Sequence, residues 1–170
     1  ASRRCRHGCT KSTRATSRES GVILWRISNY ADLSGTGGVL HPGRWHHRGR
    51  PIVYLAESPA AALLEVLVHV QVSHPGELPA HYQLMEIALP DEVCSEDAVM
   101  PDTRDWHLDT EATRRCGDEW LAQGRSLLLR VPSAVVGRSF NRLFNPLHPQ
   151  AQQAAVVSVA RYPFDARRLR

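Results

Sequence analysis

Ile52-Val53-Tyr54-Leu55-Ala56-Glu57-Ser58-Pro59-Ala60-Ala61-Ala62-Leu63-Leu64-Glu65-Val66-Leu67-Val68 reads as a strand turning directly into a helix. Residues 52–56 are β-branched, aromatic and aliphatic, the composition of a strand. Ser58 before Pro59 is a helix start: a serine cap, then proline at the first helical position, where a missing N–H costs nothing. The helix runs to about Val72. Leu63, Val66, Leu67 and Val70 form its main apolar stripe, and Leu64 and Val68 spread that surface further round. One carboxylate, Glu65, is embedded in it. Glutamate is rarely buried without a partner, so the chain either pairs Glu65, most simply with an arginine, or uses it.

Working outward, Val22–Ile27 is a strand. Residues 28–50 hold five glycines and a proline and read as one long loop; loops of that length are more often functional than idle. Downstream, His81–Leu89 alternates as a strand and closes on Pro90-Asp91, and residues 91–108 are polar and irregular. Thr110–Gln123 is helical, with Gly124 as its stop. Ser126–Val131 is a strand ended by Pro132, with Val135-Val136 continuing it after a bulge. Asn145 to Pro149 is a turn, Gln150–Ala154 a short helical turn, and Ala155–Val159 a last strand. Strands and helices mix without regular βαβ alternation, which predicts an α+β fold, a mixed sheet with flanking helices.

The 170 residues suit one compact domain with a sizeable core. No apolar run approaches the ~18–20 residues of a membrane span, and no apolar segment follows the basic N-terminus as a secretory signal requires. Four scattered cysteines are too few for a disulfide scaffold, so a reduced, cytoplasmic setting is expected. Charge is uneven. Six Arg and Lys against Glu19 give residues 1–20 a net of +5, and with +4 on the whole chain, residues 21–170 carry −1. Residues 1–20 therefore read as a disordered basic extension and residues 21–170 as the domain. The basic balance says little for a nucleic-acid partner. Cys5, His7 and Cys9, like His41, His46 and His47, lack the spaced ligand set of a metal site, so no metal is expected.

The chemistry gathers between Trp25 and Glu65: Arg26 and Arg44, the aromatics Tyr30, Trp45 and Tyr54, and the embedded carboxylate. Arginine forks bind phosphate, and aromatic faces stack on flat heterocycles. A carboxylate in an apolar wall can steady a developing cation. Together they suit a dinucleotide. Neither a G-x-G-x-x-G nor a P-loop sequence is present, which argues against the common dinucleotide and NTP folds.

These stretches carry a family likeness. Leu24-Trp25-Arg26-Ile27, Leu33-Ser34-Gly35, Gly43-Arg44-Trp45, Ile52–Ser58 running on through Leu63–His69, Gly117-Asp118-Glu119-Trp120-Leu121, Val131–Val135, Asn145–Pro149 and Val156–Val159 occur in order. The chain resembles the RES-domain family, toxins of bacterial toxin–antitoxin pairs whose partner is an Xre-type helix-turn-helix antitoxin. The resemblance covers roughly residues 22–170.

It implies an ADP-ribosyltransferase-like fold and the arginine, glutamate and serine of the family's name at Arg44, Glu65 and Ser133, with Arg26 and Tyr54 toward the NAD pocket; Tyr30, an aromatic in the long loop, is a further ligand candidate read from the residues alone. NAD would be substrate, with no resident cofactor. The implied reaction is cleavage of the nicotinamide–ribose bond by hydrolysis or phosphorolysis, which depletes NAD and arrests growth. Glu65 would steady the oxocarbenium-like state or hold ribose hydroxyls. Arg44, with Arg26, would bind phosphates, Tyr54 would stack on nicotinamide, and Ser133 would position Glu65 or a ribose hydroxyl. An ADP-ribosyltransferase acting on a cellular protein is the near alternative. A nucleic-acid-binding or nuclease toxin, suggested by the basic ends, is the alternative of another class.

The implied partners are the antitoxin and NAD, with no membrane, nucleic acid met only through the antitoxin, and a homo-oligomer left open. Two departures stand out. The family usually reads Gly-Gly-Arg-Trp-Asn where this chain has Pro42-Gly43-Arg44-Trp45-His46, and Thr-Gln where it has Thr113-Arg114-Arg115.

Overall fold

A computed structural model describes residues 21–73, 81–100 and 105–163; the basic N-terminal stretch lies outside them. Seven strands form a single sheet: β1 (Gly21–Ser28), β2 (Val53–Ala56), β3 (His81–Pro90), β4 (Ser95–Asp97), β5 (Leu128–Pro132), β6 (Phe140–Phe144) and β7 (Ala155–Pro163). Their order is β4-β5-β6-β2-β1-β3-β7. Every pairing is antiparallel except β4 with β5. Three helices accompany them, α1 (Thr36–Leu40), α2 (Pro59–Ser73) and α3 (Thr110–Gln123), with a 3-10 turn at Pro149–Gln153. The expected mixed α+β architecture is present. No helix among the described residues is long and apolar enough to cross a membrane.

Register sorts the side chains into two faces. Trp25 pairs with Ala56, Ala56 with Asn141, and Asn141 with Val131, so these four share one face. Two residues along, Tyr54, Leu143 and Leu129 form the next row of that face. Trp45, Ile52, Trp120, Leu129, Val131 and Leu143 make its core, against which α3 packs. Leu24, Val53, Leu55, Met85, Ile87, Leu89, Leu128 and Phe144 build the core of the opposite face.

The start of α2 is built as expected: Ser58 Oγ accepts from the Ala61 amide at 3.1 Å. The helix packs on β1 and β2, but it is less buried than its composition suggests. Of residues 59–68 only Ala62 is buried, and Leu64 and Val68 stand exposed.

Four expectations are corrected. The long loop contains α1, a five-residue helix entered through Gly35 in the left-handed conformation. Val135 and Val136 do not extend the preceding strand, because the Ser133 hydroxyl accepts both of their amides at 3.1 Å and bends the chain away. The return strand β6 follows that bend, and its Phe-Asn-Arg-Leu-Phe sequence carries no clean alternation to announce it. The short β4 lies in the stretch read as irregular.

Candidate active site

Glu65 projects from α2 toward the face that carries Asn141. Its Oε1 accepts from Ser133 Oγ at 2.8 Å and from Asn141 Nδ2 at 2.7 Å. Both donors are buried, while Glu65 is half-buried. Among the described residues nothing hydrogen-bonds Oε2, and no arginine forms an ion pair with the carboxylate. The pairing with arginine that a buried glutamate suggests is therefore replaced by two neutral donors. A neutral pair orients the carboxylate without cancelling its charge, and leaves one oxygen to meet a ligand.

Asn141 is the member of this trio that the sequence does not reveal. The pattern that could have found it is its place on a strand facing α2, and β6 itself is hard to see. Removing its amide leaves Ser133 as the sole donor to Oε1. Asn141→Ala is expected to lower turnover about tenfold with a smaller effect on binding, and steady-state kinetics on the purified variant would check it.

Arg44 sits in a tight turn closed by the Gly43 amide donating to the His46 carbonyl at 3.1 Å. That turn is held from three sides. Thr113 Oγ1 donates to the Arg44 carbonyl at 2.7 Å, Arg114 Nε donates to the Gly43 carbonyl at 2.9 Å, and the Arg44 guanidinium donates to the His107 carbonyl at 2.8 Å. Arg114, the cation that replaces the family's neutral amide, thus has a structural task of its own.

Tyr54 braces the turn from within. Its hydroxyl accepts from the Trp45 amide at 3.1 Å and meets His46 Nδ1 at 2.9 Å. Gly43 is required here, since a Cβ on it would lie 2.5 Å from that hydroxyl. Burial pushes the Tyr54 phenol up against a weaker pull from the nearby Arg114 and Arg44 charges, so it stays neutral. The Tyr54 row lies two residues, about 7 Å, from the Asn141 row on the same face.

His46, the second departure from the family pattern, is buried and fully used. Nε2 meets the His41 carbonyl at 3.1 Å, which requires the proton on Nε2, so Nδ1 accepts from Tyr54. Burial holds this imidazole below its ordinary value, outweighing the hydrogen bonds to His41 and Gly38. The unfolded chain therefore binds a proton at His46 that the folded one resists. Stability from this site is complete above about pH 6.5 and falls as pH drops below it. Melting temperature measured from pH 7 to pH 5 should fall less steeply for His46→Asn than for the natural chain.

The remaining candidates stand apart. Arg26 alternates with Trp25 and belongs to the row of Met85, on the opposite face; its guanidinium donates to the Asp32 carbonyl, and burial lowers its pKa. Tyr30 is 65% exposed beyond the end of β1. A cleft of about 440 Å³ lined by Asn29, His81, Tyr82, Gln83, Val159 and Arg161 includes none of Glu65, Ser133 or Arg44. The structure thus joins Glu65 with Ser133, and Arg44 with Tyr54, as two clusters on one face, and does not bring Arg26 or Tyr30 to either. Among the described residues no group of His, Cys, Asp and Glu could hold a metal ion.

The family description of the RES domain matches residues 23–165, a span containing every residue of both clusters. The chain belongs to the RES-domain family. A curated protein named Toxin Res from Pseudomonas putida is 50% identical over 137 residues, 79% of this chain and 92% of that protein. The Prs ADP-ribosylating toxin of Sphingobium sp. (strain YBL2) is 38% identical over 158 residues, 86% of this chain and 96% of the relative. Among solved structures, the MbcT–MbcA toxin–antitoxin complex of M. tuberculosis contains a chain that superposes with a TM-score of 0.67 at 20% identity, over 85% of this chain and 86% of that one. That likeness supports the α+β fold described here. In this RES chain Glu65 and Ser133, which the sequence resemblance matches to the glutamate and serine of the family's name, are in direct contact.

Proposed function

We propose that this protein is the toxin of a toxin–antitoxin pair and acts by cleaving NAD at the nicotinamide–ribose bond. The observation that carries the reading is a half-buried carboxylate fixed through one oxygen only, on the sheet face that also carries Tyr54, whose ring the Arg44 and Arg114 charges reach. Breaking the bond to nicotinamide builds positive charge on the ribose, as glycoside cleavage does. Glu65 Oε2 is the group to steady that charge, and an oriented carboxylate in a partly dry wall does so more strongly than one in water. Nicotinamide leaves as a neutral molecule, so no strong general acid is needed. Arg44 supplies the fork for the pyrophosphate. Tyr54 offers its ring face while its hydroxyl holds the turn.

Names of relatives support the toxin reading: the P. putida and Sphingobium proteins are toxins, and the solved structural neighbour is bound to an antitoxin. An antitoxin partner, of the Xre type that the sequence resemblance implies, fits the same role here. NAD is then a substrate, with no separate cofactor, and the cytoplasm, where NAD is made and spent, is the setting. The Sphingobium name favours a second reading, transfer of ADP-ribose to a protein, which uses the same bond cleavage with a side chain as acceptor.

Incubating the protein with NAD, with and without phosphate, and following free nicotinamide tests the first reading. Release without label transfer is expected; ADP-ribose as product marks water as acceptor and its 1″-phosphate marks phosphate. NAD left intact in both arms overturns it. Label moving from NAD to a lysate protein supports the second.

A further inference from the structure

One cluster outside the carboxylate trio engages both ring nitrogens of a single histidine. His47 Nδ1 lies 2.7 Å from Asp118 Oδ2, and Nε2 lies 3.1 Å from Glu111 Oε2. The His47 amide also donates to Asp118 Oδ1 at 3.1 Å. Carboxylates only accept, and a neutral imidazole has a single N–H. The imidazolium alone satisfies both contacts. Asp118, 18% exposed in its side chain against 56% for Glu111, is the better shielded partner. Both acids belong to α3, and His47 directly follows the turn that carries Arg44, so the contact ties turn to helix.

The neighbouring charges are accounted for. From α3, Arg115 shares Glu111 at 3.4 Å and Arg114 is turned to the Gly43 carbonyl. From its own segment, Arg44 reaches to His107 and His46 is buried and neutral-favouring. Asp118 and Glu111 are the charged groups that act on the His47 ring.

We propose that His47 is a positioning residue: as imidazolium it clasps the 43–47 turn to α3 and so holds Arg44 where the substrate's phosphates are bound. The substrate half of this inference rests on the proposed function. The clasp is one of four ties between this segment and α3, and the bonds from Thr113, from Arg114 and from the His47 amide carry no proton that titrates near neutral pH. Opening it therefore loosens the turn rather than freeing it. Hydrogen bonds from Asp118 and then Glu111 hold the His47 pKa above its ordinary value. The clasp is thus complete below about pH 6.5; as pH rises through the raised value the single N–H left on the ring can hold one carboxylate only, and the clasp is halved.

Amide hydrogen exchange at residues 44–47, corrected for the intrinsic pH dependence of exchange, reads the clasp itself. At pH 6, His47→Ala should lose about fivefold in protection, the size of a partly exposed charge pair. The natural chain should lose part of that protection as pH rises, staying above His47→Ala, and His47→Arg should keep protection throughout. Kinetics read the consequence. KM for NAD should rise about fivefold in His47→Ala with kcat little changed, and His47→Arg should restore KM and flatten its pH profile. Equal protection in the natural chain and His47→Ala would overturn the clasp. Lost protection with unchanged KM would keep the clasp and overturn its role in holding Arg44. A natural chain that never turns over NAD would overturn the proposed function and the substrate half of this inference, while exchange would still decide the clasp.

Discussion

Glu65→Gln should abolish nicotinamide release while leaving the fold intact. The substitution is chosen for its geometry. Glutamine keeps a carbonyl oxygen where Oε1 accepts from Ser133 Oγ and Asn141 Nδ2, so neither buried donor loses its partner. Its amide nitrogen replaces Oε2, the oxygen that no described residue bonds. What disappears is the negative charge, and a positive-edged N–H faces the ribose in its place. The loss expected in kcat is about 10³-fold, the scale of removing one preorganised electrostatic group from a reacting centre. Melting temperature should move by no more than about 2 °C, because a half-exposed site with its bonds kept changes stability little. In cells the variant should no longer arrest growth. Full activity in the purified variant would remove Glu65 from the chemistry. A variant that unfolds would instead make the carboxylate a structural element of the α2–β6 contact.

The sequence showed Glu65 clearly and its surroundings partially, for physical reasons. A lone acid in an apolar helix stands out because burial is costly, and Ser58-Pro59 fixes where that helix begins. Charge arguments then point to arginine as partner, since salt bridging is the commonest remedy. The structure uses a serine and an asparagine instead. Neutral donors are invisible to a charge argument, and Asn141 sits on a strand whose phenylalanines and arginine hide its period. Ser133 stands out in the sequence only through the family resemblance, and its two amide acceptances show why the serine there also ends β5. His46 and Arg114 both depart from the pattern of the family the sequence resembles. Each makes a hydrogen bond within the turn or across to it, so both departures are built into the turn that carries Arg44. The two-face sorting of Arg26 from Glu65 follows from strand register, which no single-sequence pattern supplies.

Gly117→Ala should be strongly destabilising although it adds a single methyl group. A Cβ added at Gly117 would stand 1.8 Å from the Trp45 carbonyl oxygen, 2.9 Å from its carbon and 3.3 Å from the Trp45 Cβ. The nearest obstacle is backbone, so no rotamer change relieves it. Either α3 lifts away or the 43–46 turn moves. Lifting α3 strains the bonds from Thr113 to the Arg44 carbonyl, from Arg114 to the Gly43 carbonyl and from the His47 amide to Asp118. It also opens the core around Trp45 and Trp120, each under 5% exposed. Overpacking of this severity costs about 3 kcal/mol, which for a domain of this length lowers the melting temperature by about 10 °C. Gly137→Ala is the control: its Cβ meets nothing within 4 Å and its φ is not positive, so its melting curve should overlay that of the natural chain. Because the displaced turn carries Arg44, the folded fraction of Gly117→Ala should also show a raised KM for NAD at temperatures well below its melt. A Gly117→Ala protein that melts with the natural chain would mean that α3 and the Arg44 turn are not packed in contact. The account of how Arg44 is held would then fail, even if Glu65 kept its role.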